Sequence, residues 1–159
     1  MSTFQIIALD LAQYLPFFDL TDEELQVHSI ARQFADKSPG YPCRISLEDA
    51  AVGEEVLLFQ YDHHAVKSPY RSSGPMYIRR TGDKAVVDPD FVPTFLLKRT
   101  ISLRCYDKQQ MMISATVCQG DTIANELRTF FQNLDIVYIH IHNARTGCYL
   151  CAANRVGVP

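Results

Sequence analysis

The sequence has little of what marks the common partner classes. Neither charge is in excess: 15 Lys and Arg against 18 Asp and Glu leave a formal net charge of −3, too weak a field to collect nucleic acid or an anionic membrane. No apolar run approaches the roughly 18 residues of a membrane span. The opening Met1-Ser2-Thr3-Phe4 lacks the basic start and apolar core of an export signal. The five cysteines are an odd number, which argues against a closed disulfide framework and for free thiols in a reducing compartment. There is no internal repeat, low-complexity tract or long linker. These absences lead to the expectation of a cytoplasmic single domain, 1–159, that binds neither nucleic acid nor membrane and is long enough to bury a core without disulfides or metal.

Motifs of fixed spacing are missing too. No glycine-rich phosphate loop precedes a helix, and no cysteine is followed by five residues and then an arginine. The one C-x-x-C, Cys148-Tyr149-Leu150-Cys151, excludes a four-cysteine zinc ribbon. In a strand its two thiols point to opposite faces, so chelation would need a tight turn. No Asp or Glu follows His142, and the glycines that precede a cupin-type histidine pair are absent. No cofactor and no metal are therefore expected from spacing.

What the chain does contain reads as α+β with a mainly antiparallel sheet. Phe4 to Leu9 is an opening strand, and Leu11 to Phe18 a short turn or helix around Pro16. Thr21 and Glu24 form a capping box for a short helix near 21–27. Glu55 to Tyr61, apolar on both faces, reads as a central strand. Met76 to Arg79 is a shorter one. Ile101, Leu103 and Cys105 alternate with polar residues and lead into a hairpin. A three-residue connection, Asp107 to Gln109, would set Cys105 opposite Met111 and Leu103 opposite Ile113 on a shared apolar face. Asp121 is a candidate N-cap for an amphipathic helix over about 121–132, whose Ile123, Leu127, Phe130 and Phe131 share a stripe. The strand Asp135 to His142 sends Val137, Ile139 and Ile141 to one face and Tyr138, His140 and His142 to the other. Cys148 to Asn154 reads as a last short strand.

Reactive side chains gather in three places: His63-His64, the proline-bracketed loop Ser68 to Pro75, and His140 to Cys151. The loop is the foremost ligand candidate. Arg71 offers a planar fork for a carboxylate or phosphate; Ser72 and Ser73 add hydroxyls and Gly74 permits close approach. Arg44 and Arg145 would add charge, Asn143 a polar contact. His142 is the acid/base candidate and Cys43, beside Arg44, the candidate nucleophile. Of His63 and His64, which point to opposite faces in an extended strand, at most one joins a given pocket. The leading expectation is a small anionic ligand in a polar pocket formed by the Ser68–Pro75 loop, the Pro39–Arg44 loop and the His140–Cys148 segment. Two alternatives stand beside it: a non-catalytic interaction module whose polar loops brace each other, and a metalloprotein using His140 and His142, ~7 Å apart at Cα on one strand face, with Cys148, Cys151 or Cys43.

Gly40-Tyr41-Pro42-Cys43-Arg44, Leu57 to Tyr61 with Ser68 to Ser73, and His142-Asn143-Ala144-Arg145 with Gly147-Cys148 resemble a bacterial family called domain of unknown function 1203. The resemblance runs from about residue 40 onward, and His140 lies outside its pattern. It implies no activity. Its signature falls on the polar loops singled out above.

Overall fold

In a computed structural model that describes residues 3–157, these patterns become two antiparallel sheets with a few short helices. The strands are β1 (Phe4–Ile7), β2 (Ala31–Phe34), β3 (Glu55–His64), β4 (Ser72–Arg79), β5 (Thr100–Tyr106), β6 (Met112–Gln119), β7 (Tyr138–Asn143) and β8 (Tyr149–Arg155). The helices are α1 (Asp22–Val27), α2 (Thr94–Leu97) and α3 (Ile123–Phe130), with 3-10 turns at Ala12–Asp19 and Gly120–Thr122. The larger sheet has the order β1-β8-β7-β5-β6, the smaller β2-β3-β4. The class is α+β, mainly antiparallel. No helix among the described residues is long and apolar enough to cross a membrane.

Each sheet is held by the face that the alternation assigns it. Ile101, Leu103, Ile139, Ile141 and Leu150 pack with Ile123, Leu127 and Phe131 of the α3 segment in one core. Leu57, Phe59, Met76 and Ile78 of the smaller sheet pack with Leu11, Phe18 and Leu25 in a second, which Tyr149 of β8 enters from the larger sheet. Burying a side chain of this size contributes about 1.5–3 kcal/mol. The polar face of β7 is thereby turned towards the smaller sheet, away from α3.

Several local expectations hold. The capping box at α1 is complete: the Glu24 N–H donates to Thr21 Oγ1 at 3.2 Å and the Thr21 N–H to Glu24 Oε2 at 2.8 Å. β3 lies at the centre of its sheet, and β8 closes the chain's last hairpin.

Others are corrected. Asp121 does not cap α3; it lies inside a 3-10 turn, and Thr122 stands at the N-cap with its hydroxyl donating back to the Gln119 carbonyl at 2.9 Å instead of capping the helix. Ser72 to Pro75 are not loop but the first half of β4, an edge strand where Pro75 costs no ladder bond. β2 and α2 have no counterpart in the sequence reading. The β5–β6 register also differs: Leu103 faces Thr116 and Cys105 faces Ser114. Turn chemistry overrides the apolar match here. Asp107 Oδ1 accepts from the Gln109 and Met111 N–H groups at 2.9 and 3.0 Å, and Gln110 takes φ 60°, so the connection runs longer than three residues. Since β6 is an edge strand, Ile113 and Val117 remain 42% and 64% exposed.

The turn that leads into α3 depends on close backbone contact. A Cβ on Gly120 would fall on the Leu96 carbonyl oxygen and within 2.7 Å of Leu97 Cα. Both clashes are with backbone, so no side chain can yield. Gly120→Ala is expected to lower stability by about 2–3 kcal/mol, read from the urea midpoint at unchanged slope. A loss below about 0.5 kcal/mol would mean that α2 shifts freely.

Candidate functional site

The site is assembled from the polar face of β7 and the end of β3. On β7, Tyr138, His140 and His142 alternate onto one face, opposite Tyr106, Arg104 and Ser102 of β5. On β3 the ladder to β4 is irregular between Tyr61 and His64. Such a bulge bends a strand and re-aims its side chains. Straight alternation would separate the two neighbouring rings. Instead both come up to His140, with centroid distances of 6.2 Å for His63 and 4.8 Å for His64.

The two β3 histidines then differ in kind. His64 uses both nitrogens: Nε2 lies 2.6 Å from the Tyr138 hydroxyl and Nδ1 2.8 Å from the Tyr70 carbonyl oxygen. A carbonyl only accepts, so Nδ1 carries the proton and the Tyr138 hydroxyl donates to Nε2. Burial pushes the Tyr138 phenol up to about 12, which keeps that donor in place. His64 is a closed structural unit.

His63, His140 and His142 are open. Each offers a ring nitrogen, and these atoms lie within 4.8 Å of one another. Three buried nitrogens, His63 Nδ1, His140 Nδ1 and His142 Nε2, have no hydrogen-bond partner among the described residues. The His142 ring is oriented by its other nitrogen, since Nδ1 donates to the Gly147 carbonyl at 2.9 Å. Gly147 sits at φ 79° in the β7–β8 turn, a conformation glycine adopts without a steric cost. A protonated Nδ1 on a carbonyl with a free Nε2 lone pair is the arrangement of a metal-ligating histidine. Tyr149 walls the group, stacked on His63 at 5.0 Å and edge-on to His140 and His142 at 5.0 and 5.6 Å.

Electrostatics keep the three rings neutral. Burial lowers His63 to about 4, with the neighbouring His64 ring and the Arg104 charge acting in the same direction. Burial lowers His142 to about 4, against the opposing Gly147 hydrogen bond. Burial and the neighbouring rings take His140 down to about 2. Neutral imidazole is the form that binds a metal. Four-coordinate binding with bonds of ~2.1 Å would put the nitrogens ~3.4 Å apart, so the trio has to tighten modestly.

Two of the trio, His63 and His142, line a cavity of about 210 Å³ together with Ser72, Ser73, Arg104 and Cys148 among others. Ser73 is partly engaged, its Oγ accepting from Gln60 Nε2 at 2.9 Å. Arg104 is half-buried, and its one hydrogen bond runs from Nε to Ser102 Oγ at 3.5 Å.

The remaining sequence candidates scatter. Arg71 is exposed and ion-paired with Asp62 at 3.0 Å, outside this cavity. Cys43 is fully buried in the smaller sheet's core, its sulfur accepting from the Arg79 N–H at 3.4 Å. Arg44 is only 2% exposed and donates to the carbonyls of Tyr149 at 2.9 Å and Pro42 at 2.7 Å. It lines an adjoining cavity with Asn143 and Cys148, while Arg145 lines a third. Cys151 lies in the α3 core, so the two thiols of the C-x-x-C do face apart. All five cysteines are free. Sequence reasoning missed three participants: His63 as the member of its pair that joins, Tyr149 as the wall, and Arg104. Only the strand order, which sets Arg104 opposite His140, reveals the last.

The depressed histidines fix a pH dependence. The unfolded chain takes up these protons near pH 6.5, the ordinary histidine value, and the native state only near pH 4 or below. Stability of the metal-free protein is therefore full above about pH 6.5 and falls as pH drops from there towards 4. In His63→Gln the proton uptake on unfolding at pH 5.5, from the pH dependence of the urea midpoint, is expected to fall by about one. An unchanged uptake would mean that His63 is already protonated in the native state.

No curated protein and no solved structure matches the chain. Residues 40–155 match the family described as "Protein of unknown function (DUF1203)". That span holds the three open histidines, the cavity that His63 and His142 line, Arg44 and the whole β3–β8 framework. The chain belongs to this family.

Proposed function

We propose that this protein is a metal-binding protein whose centre is His63, His140 and His142, with a coordination position open to the adjoining cavity, where a small anionic ligand is held. The observation that carries this reading is the convergence of three ring nitrogens within 4.8 Å, in a setting where three buried ring nitrogens lack partners. Leaving a buried polar atom unpaired costs about 1–3 kcal/mol, and coordination would relieve it. Three protein ligands and one open position form the pattern of a site that presents a metal to a ligand, in contrast to a closed structural site. Three imidazoles without thiolate or carboxylate suit a borderline divalent ion such as zinc, iron(II) or nickel. The bound ion would supply Lewis acidity. The chain's own part is to orient His142 through Gly147, to exclude water with Tyr149, and to offer the Arg104 charge and the Ser72 and Ser73 hydroxyls to the ligand.

The anion role that the sequence suggested for Arg71 passes to Arg104 in this reading, because Arg71 is already answered by Asp62. A bracing function finds its support in Arg44, which joins two carbonyls; it leaves the histidines unexplained. Five free thiols accord with a reducing, cytoplasmic setting.

Elemental analysis of untagged protein purified without chelator, followed by zinc titration against a chromophoric chelator, tests the centre. The expected result is one equivalent per chain, with affinity reduced by roughly a hundredfold or more in His142→Ala. The His64→Gln variant serves as a neighbouring control that keeps the metal. Absence of stoichiometric binding, or equal binding by a His63→Ala/His142→Ala double variant, would sink the reading.

A further inference from the structure

Three cavities follow one another along the surface between the sheets. The first, about 210 Å³, is the histidine cavity. The second, also about 210 Å³, is lined by Arg44 and Tyr77. The third, about 340 Å³, is lined by Lys37, Lys98, Arg99 and Arg145. Thr146 lines all three; Pro75 and Cys148 are shared by the first two, Gly40 and Asn143 by the last two. They adjoin one another through these shared residues, in a row that starts at His63 and His142 and is called the groove below.

Its charge is entirely of one sign. Arg104, Arg44, Lys37, Lys98, Arg99 and Arg145 line it, and no carboxylate does. The chain as a whole has more acidic than basic residues, 18 against 15, so this is a local concentration against the overall balance. Among the described residues Arg99 alone is answered, by Asp49 at 2.5 Å, and Asp49 faces a different cavity. Arg44 is the most telling member. It is almost wholly buried, its hydrogen bonds go to backbone carbonyls, and no carboxylate accompanies it. Desolvation disfavours a buried cation without a counter-ion, and an anionic ligand would offset that. Clefts lined by one sign of charge concentrate ligands of the other.

We infer that the groove takes an elongated dianion, one oxyanion group seated among Lys37, Lys98 and Arg145 and the other at the histidine centre beside Arg104. The inference rests on the proposed metal centre only for what the second group meets; the basic end stands on its own charges. Carboxylate and phosphate share the required chemistry. A lone small anion would satisfy one end and leave the other unpaired, so the elongated dianion is the preferred ligand.

A length series tests this. Linear dicarboxylates from malonate to suberate, with hexanoate as the single-charge control and 6-phosphonohexanoate as the phosphate-type probe, are titrated calorimetrically into zinc-loaded and metal-stripped full-length protein. Affinity is expected to rise with chain length to an optimum beyond succinate and to exceed that of hexanoate by about tenfold or more. Arg145→Glu/Lys98→Glu, both exposed, is expected to lose about tenfold or more in either metal state while retaining its metal. A stronger 6-phosphonohexanoate assigns phosphate as the natural end group, a weaker one carboxylate; either order accompanies a supported groove. No dependence on length, parity with hexanoate, or indifference of the charge-reversed variant overturns the inference. If the variant loses binding in a protein that takes up no metal, the metal centre fails and the basic end stands. If metal binds at one equivalent but charge reversal changes nothing, this inference alone fails.

Discussion

A guanidinium with no carboxylate beside it connects the two sheets. The Arg44 backbone N–H donates to Tyr77 of the smaller sheet at 3.1 Å, while its Nε donates to the Tyr149 carbonyl of the larger one at 2.9 Å. Nη1 turns back to Pro42. Hydrogen bonds from a charged donor contribute about 1.5–3 kcal/mol each, and desolvating the cation costs an amount of the same order or larger. The gain is accordingly one of position more than of stability. Arg44 sets where β8 lies against the smaller sheet, and Tyr149 on β8 in turn walls the histidines. Displacing this one cation would move the floor of the groove and the wall of the site together.

The seam between the sheets also separates two uses of histidine. His64 meets a donor and an acceptor and is complete. His63, half-buried, and the buried His140 and His142 stand beside it, yet each is short of a partner. Buried polar groups in native proteins are usually satisfied, so three neighbouring rings that each keep an unpartnered nitrogen are what the proposed metal centre is built on. The same seam carries a run of cations of which, among the described residues, Arg99 alone has an acid partner. In the proposed reading the ring lone pairs hold a metal, and the metal and the cations together attract the anion.

Much of this was legible in the chain, for identifiable reasons. The alternation of β7 assigned Ile139 and Ile141 to the core and His140 and His142 to the polar face, because a strand with one buried face has its register enforced. The capping box declared α1, since both halves of that motif are local. What failed was non-local or hidden by turn chemistry. Asp107 reset the β5–β6 register through two backbone hydrogen bonds that no apolar count foresees. The bulge in β3 brought His63 and His64 to the same ring when alternation would separate them. The strand order that sets Arg104 against His140 is a property of the sheet. Arg71 looked like an anion grip from its neighbours in sequence, and the nearest charge in space, Asp62, had already taken it.

The origin of the trio in two different sheets has a consequence for how the chain reaches its native state. The β3–β4 and β7–β8 hairpins are local and can close early, each with its histidines still in water. Neither hairpin alone contains the centre. It comes into being only when the sheets dock, a step that joins segments far apart in the chain and meets its loop-closure cost all at once. The histidine centre is thus a record of completed assembly, and an ion that selects it would bind the finished molecule while ignoring every partly folded one.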